Sequence, residues 1–135
     1  MSDSIWALQR AIYQELSNDA GLGAYIGAPA RIFDHPPDGA GLPYIVIGAG
    51  RASDWKGVDR GVEHDVRLHV YSRYAGRREI KEIMSAVYDA LHEAAFAVDG
   101  HRLVNIRCIF SDALRRTDGE TYEGVMRFRA MTQPL

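Results

Sequence analysis

From Val62 to Tyr71 the chain alternates. Val62, His64, Val66, Leu68 and Val70 fall on one side, and Glu63, Asp65, Arg67, His69 and Tyr71 on the other. A period of two is that of a strand whose side chains point to opposite faces, so this stretch predicts a half-buried strand with one polar face. Two other stretches repeat at three and four. Ile5, Leu8, Ile12 and Leu16 predict an amphipathic helix over 3–17, with Asp3 or Ser4 as its cap, and Gly21 and Gly23 close that region. Ile80, Ile83, Val87, Leu91 and Ala94 predict a second helix over 77–95, with Met84 and Tyr88 at the margin of its stripe.

Between these lie shorter signals. Arg31-Ile32-Phe33-Asp34 reads as a short extended piece, stopped by His35-Pro36-Pro37-Asp38-Gly39. Pro43 to Gly48 reads as a strand with proline at its first position, where a ladder donor is least missed. Residues 49–61 form a long polar connection. Asp99-Gly100 turns the chain into a strand from about Arg102 to Phe110, and a further strand runs from about Thr121 to Met131. Asp118-Gly119 between them predicts a hairpin with a type I′ turn.

That hairpin contains a conflict. Pairing outward from Asp118-Gly119 sets Ile109 opposite Phe128 and sets Cys108 and Phe110 opposite Arg129 and Arg127. The apolar sets, Val104, Ile106, Cys108 and Phe110 against Met126, Phe128 and Ala130, are then one residue out of step. A slip of one residue turns every side chain to the other face. A β-bulge near Ser111-Asp112-Ala113 would restore a common apolar face.

The order helix, two strands, helix, two strands, with one apolar face on each, predicts an α+β two-layer domain. It has a mainly antiparallel four- to five-stranded sheet with two helices packed on one face. The domain spans 1–135, with a loop arm at about 49–61. The face away from the helices carries Glu63, Asp65, Arg67, His69, Arg127 and Arg129, directed to water or a partner.

Composition narrows what this face can do. The chain has 135 residues, 25% of them charged, and a formal net charge of −2. That is not the basic excess of a domain that grips duplex phosphate. Cys108 is the only cysteine, so no intrachain disulfide forms, and its apolar surroundings predict a small buried residue. No apolar run is long enough to span a bilayer, and the opening MSDSIWALQRAIYQEL lacks the pattern of a secretion signal. The expectation is a protein made in the cytoplasm.

The strand-to-helix corner LHVYSRYAGRREI invites comparison with a phosphate loop. It has a single glycine, Gly76, and neither Lys-Ser nor Lys-Thr, so neither nucleotide motif is met. Ser72 is expected to cap the helix. Arg77 and Arg78 oppose the helix dipole; Arg78 can pair with Glu82 one turn on, or both can meet acids of another chain. The histidines 35, 64, 69, 92 and 101 have no metal-ligand spacing, and Ser72 has no nucleophile elbow around it. No catalytic residue, metal or cofactor is therefore expected. The 49–61 connection is long for a hairpin link, and it carries Trp55 among Asp54, Lys56, Asp59 and Arg60. It predicts a mobile arm that orders on a partner.

Ala7-Leu8-Gln9-Arg10-Ala11-Ile12-Tyr13, Ile32-Phe33-Asp34-His35-Pro36-Pro37, Pro43-Tyr44-Ile45-Val46-Ile47-Gly48, His69-Val70-Tyr71-Ser72-Arg73 with Gly76, and the Asp118-Gly119 hairpin follow one another in order along nearly the whole chain. Together they resemble the tail-completion, or tail-terminator, proteins of long-tailed phages and gene transfer agents; Tyr71 stands where tryptophan is commonest. The resemblance implies a non-enzymatic virion protein, assembled in the host cytoplasm. Such a protein forms a ring, usually of six copies, on the head-proximal end of the tail tube. It would stop tube polymerisation and join the head. Its partners would be further copies of itself, the major tail tube protein and the head–tail connector or stopper, with DNA passing through without sequence-specific binding and no membrane contact. A neck or connector position, or a small ligand-binding or enzymatic domain, are the alternatives. Contacts with neighbouring copies or the tube are expected from Asp54, Trp55, Lys56, Asp59 and Arg60 and from the corner residues Arg73, Arg77 and Arg78. Arg67, His69, Arg127 and Arg129 are expected to face the lumen or a partner.

Overall fold

A computed structural model of the chain describes residues 2–48, 50–73 and 76–135. Helices α1 (Ser2–Ser17) and α2 (Ala20–Ile26) lead into strands β1 (Ile32–Phe33), β2 (Tyr44–Ile47), β3 (Arg51–Asp54) and β4 (Val62–Ser72). Helix α3 (Arg78–Leu91) then precedes the long hairpin β5 (His101–Arg115) and β6 (Tyr122–Pro134). The sheet runs β1-β2-β4-β6-β5, with β3 paired to β4 beyond the end of β2. Only β1 and β2 are parallel; every other pairing is antiparallel. All three helices lie on one side, where α3 touches β4, β5 and β6 and is flanked by α1 and α2. The two-layer α+β architecture is as expected, with one helix and one strand more than the sequence pattern shows.

The core follows the periodicities. On β4, Val62, His64, Val66, Leu68 and Val70 are all buried. On α3, Ile80, Ile83, Val87 and Leu91 are fully buried, but the helix ends at Leu91. His92 turns extended and Glu93 takes a positive φ of 56°, so Ala94 lies past the helix rather than on its stripe. On α1 the buried face is Ser4, Ala7, Leu8, Ala11, Ile12 and Leu16, which leaves Ile5 39% exposed. Asp3 and Ser4 sit within the first turn of α1 rather than before it. Gly21 and Gly23 do not end the helical region: they lie inside α2, which Asp19 caps by accepting from Leu22 N at 2.9 Å and which buries Leu22 and Ile26.

The β5–β6 ladder contains the predicted irregularity, at a different place. Near the turn the register is as read, with Arg115 opposite Tyr122 and Phe110 opposite Arg127. One residue, Ile109, is then extruded, so that Cys108 meets Phe128 and Ile106 meets Ala130, and a second shift follows between Leu103 and Asn105. Pairing through Ser111, Asp112 and Ala113 is regular, so the bulge is not there. One consequence is that Phe110 leaves the apolar face and is 47% exposed. The turn also differs from type I′. Positive φ falls on Gly119, at 75°, and not on Asp118. Arg116 O accepts from Gly119 N, and Arg116 N donates to Thr121 O, which makes a four-residue loop. Asp118 is occupied as an acceptor for Glu120 N, Thr121 N and Thr121 Oγ1, and these bonds hold its carboxyl down at about 2.

One glycine makes room for a side chain of α3 on the sheet. A Cβ on Gly124 of β6 would lie 2.5 Å from Met84 Sδ. Gly124→Val is therefore expected to displace the flexible Met84 side chain and to cost about 1 kcal/mol, read as a lowered urea midpoint with an unchanged slope.

Candidate assembly surface

The sheet face away from the helices is a charged lattice, and its geometry follows from the strand alternation. On β4 the outward positions are Glu63, Asp65, Arg67, His69 and Tyr71; on β6 they are Glu123, Val125, Arg127, Arg129 and Met131. The ladder sets Glu63 beside Met131, Asp65 beside Arg129, Arg67 beside Arg127, His69 beside Val125 and Tyr71 beside Glu123. Charges then pair on the diagonal. Arg127 Nη2 donates to Asp65 Oδ2 at 2.8 Å, and Arg129 Nε donates to Glu63. The Arg127 bond, followed by the positive field of Arg127, Arg67 and Arg51, holds the Asp65 carboxyl below the usual range against the opposing effect of burial. Among the described residues Arg67 makes no ion pair.

At the other end of the face, Glu123 gathers three partners. His69 Nδ1 lies 2.9 Å from its Oε2, Tyr71 OH donates to the same oxygen at 3.1 Å, and Arg116 Nη1 donates to Oε1 at 2.8 Å. Burial works to raise this carboxyl, but the bonds from His69 and Tyr71 and the Arg116 charge outweigh it and lower it. Tyr71 is held further by Tyr44, at 5.3 Å between ring centroids, and by the Arg116 guanidinium 5.7 Å above its ring. Gly48 leaves room for the imidazole, since a Cβ there would lie 3.1 Å from the His69 ring. Arg67, His69, Arg127 and Arg129 are thus brought onto one face as expected. The role of Glu123 was missed; it becomes visible only once the register places it across from Tyr71.

The other expected contact residues sit elsewhere. The 49–61 connection is not an unpaired arm. Arg51–Asp54 is strand β3, paired to Val62–Asp65, and the remainder is a tight turn in which Trp55 N donates to Gly61 O at 3.0 Å. Trp55 packs on its own hairpin, against Val58 and Gly61, where a Cβ would lie 2.9 Å from the indole. Lys56, Asp59 and Arg60 are exposed around that turn, and Asp54 ends β3. The Arg73–Arg78 corner lies at the opposite end of β4; of the two stretches, Ala49, Tyr74 and Ala75 fall outside the described residues.

The corner is tied into its own chain. Ser72 is not the cap of α3, which is Arg77. Ser72 Oγ instead donates to Glu79 Oε1 at 2.7 Å, joining the end of β4 to the first turn of α3. Arg73 donates to Thr121 Oγ1, Arg77 lies 5.4 Å above the Tyr122 ring, and Arg78 pairs with Glu82 at 3.0 Å. The three arginines therefore have partners within the chain. Among the described residues, no three His, Cys, Asp or Glu side chains converge so as to hold a metal, and no helix is long and apolar enough to cross a membrane.

The open sheet thus lies over a helical layer and carries a charge-paired face on its other side. In shape the chain is similar to a chain in the virion of a native gene transfer agent particle, with a TM-score of 0.83, 31% identity and 96% of each chain covered. Residues 10–133 match the family described as tail completion protein gp17. The chain belongs to that family of structural proteins of phage and phage-like tails. No curated protein sequence matches it.

Proposed function

We propose that this chain is a tail terminator. Six copies form a ring on the head-proximal end of the tail tube, stop tube polymerisation and present the surface on which the head connector docks. The observation that carries this reading is the likeness, over 96% of both chains, to a subunit of an assembled virion, joined to the family match over 10–133. The outer sheet face suits a channel wall. Its Arg127 and Arg129 are already neutralised by Asp65 and Glu63, which leaves Arg67 outside an ion pair, so DNA would meet few uncompensated positive charges and could slide rather than be held. In this role Arg67, His69, Arg127 and Arg129 face the lumen or a partner. The β3–β4 turn with Asp54, Trp55, Lys56, Asp59 and Arg60, and the corner with Arg73, Arg77 and Arg78, meet neighbouring copies or the tube from opposite ends of β4.

Electron microscopy of particles made with and without the protein tests this. Tubes of unregulated length, unjoined to heads, are expected in its absence. Tubes of normal length that fail only to join heads would instead indicate a connector, and normal particles would reject both roles.

A further inference from the structure

Two exposed apolar patches lie at opposite edges of the sheet. At the β5 edge the bulge turns Ile109 and Phe110 outward, 50% and 47% exposed, with Leu114 beyond them at 40%. At the β1 edge a groove of about 390 Å³ runs between α1 and the strand, with Trp6 and Tyr13, 57% and 42% exposed, on one wall and Ile32, Phe33 and Ile47 opposite. Exposed tryptophan and tyrosine beside a cleft are the features of an interface anchor site.

The edges also differ in charge. Residues 101–116 carry four arginines against one aspartate, with Arg107 and Arg116 paired to Glu93 and Glu123 and Arg102 and Arg115 in no ion pair among the described residues, whereas residues 2–38 carry five acids against two arginines. Of those two, Arg31 is committed to the carbonyls of Pro43 and Tyr25, and Arg10 lines the groove together with Asp34.

We infer that the α1–β1 groove of one copy receives the Ile109–Leu114 edge of a second copy, the basic edge of one chain seated on the acidic edge of the next. The two bulges on β5 disfavour simple strand addition, so side chains make the contact, with Phe110 as the anchor. Because the two patches are different surfaces, the contact is heterologous. A pair joined in this way keeps one groove and one edge free, on different copies, and repetition gives a ring or a filament. Closure into a ring rests on the terminator reading; the contact itself does not.

The test uses tails carrying variants in a Cys108→Ser background, treated with a short bis-maleimide. The double variant Tyr13→Cys, Phe110→Cys is expected to give a ladder of covalent oligomers, and each single variant only monomer. Self-linking of Phe110→Cys alone would mean that two β5 edges meet, linking to a different virion protein would give the patch another occupant, and monomer only on tails of normal length would remove the contact. Each of these overturns the inference while tail length, scored on the same particles, judges the terminator reading separately. Phe110→Asp supplies a second arm. It is expected to keep the unfolding midpoint of the wild type and to lose incorporation into tails; full incorporation would overturn the proposal.

Discussion

Phe128→Ala is expected to lower stability by about 3–5 kcal/mol, a large share of the total for a domain of this size. Phe128 is fully buried at the middle of β6, between Val66 of β4 and Cys108 of β5. Its ring belongs to the core cluster that joins sheet and helices. Removing it leaves a cavity that strands paired on both sides cannot close by moving together, so the cost includes the void as well as the lost apolar burial. Its neighbours in sequence give the control. Arg127 and Arg129 point to the opposite face, where their pairs with Asp65 and Glu63 are partly solvated. Such pairs contribute about 0–1 kcal/mol, so Arg127→Ala should leave the urea midpoint nearly unchanged. Equal losses at 127 and 128 would mean that the two faces are not energetically distinct.

That contrast also explains what could be read from the sequence. The alternation over 62–71 carries both the buried and the charged side of β4, so the core face and most of the charged face were visible before any fold. Elements whose reason lies in another part of the chain were not. Arg-Ala-Ser-Asp has no apolar period, and β3 exists because the edge of β4 from Val62 to Asp65 is open to it. α2 is seven residues with two glycines, and it holds through the Asp19 cap and the burial of Leu22 and Ile26. The hairpin conflict showed that a bulge was needed but not where. Extruding Ile109 restores the pairing of Cys108 with Phe128 at once, whereas a bulge at 111–113 would have kept Phe110 inside. Of the corner arginines only Arg78 had a partner in view, Glu82 one turn on; those of Arg73 and Arg77 were hidden because Thr121 and Tyr122 reach them only through the folded hairpin.

Stability is expected to fall as the pH drops from about 6.5 to about 4, by roughly 2–3 kcal/mol, through His64 alone. This histidine occupies a core position on β4, is 2% exposed, and has Nε2 2.9 Å from Thr132 Oγ1, itself fully buried. Burial, and next the nearby His101, push its pKa down to about 4 from an ordinary 6.5. Above pH 6.5 both folded and unfolded chains hold it neutral, and it adds no pH dependence. Below that the unfolded chain takes up a proton that the folded chain refuses, so the folded state loses ground until about pH 4, where the native imidazole also protonates. The carboxylates held low by their partners, Asp65 and Glu123, act in a more acidic window, below the ordinary carboxylate range. They contribute stability that is lost only as the pH falls through their folded values. Urea unfolding of the wild type and of His64→Leu between pH 7.5 and 4.5 separates the two. Below pH 6.5 the wild type should lose stability steadily relative to the variant, because the variant keeps the carboxylate component and lacks the imidazole. A constant difference across that range would show that His64 titrates alike in the folded and unfolded chains, so that burial does not hold its pKa down.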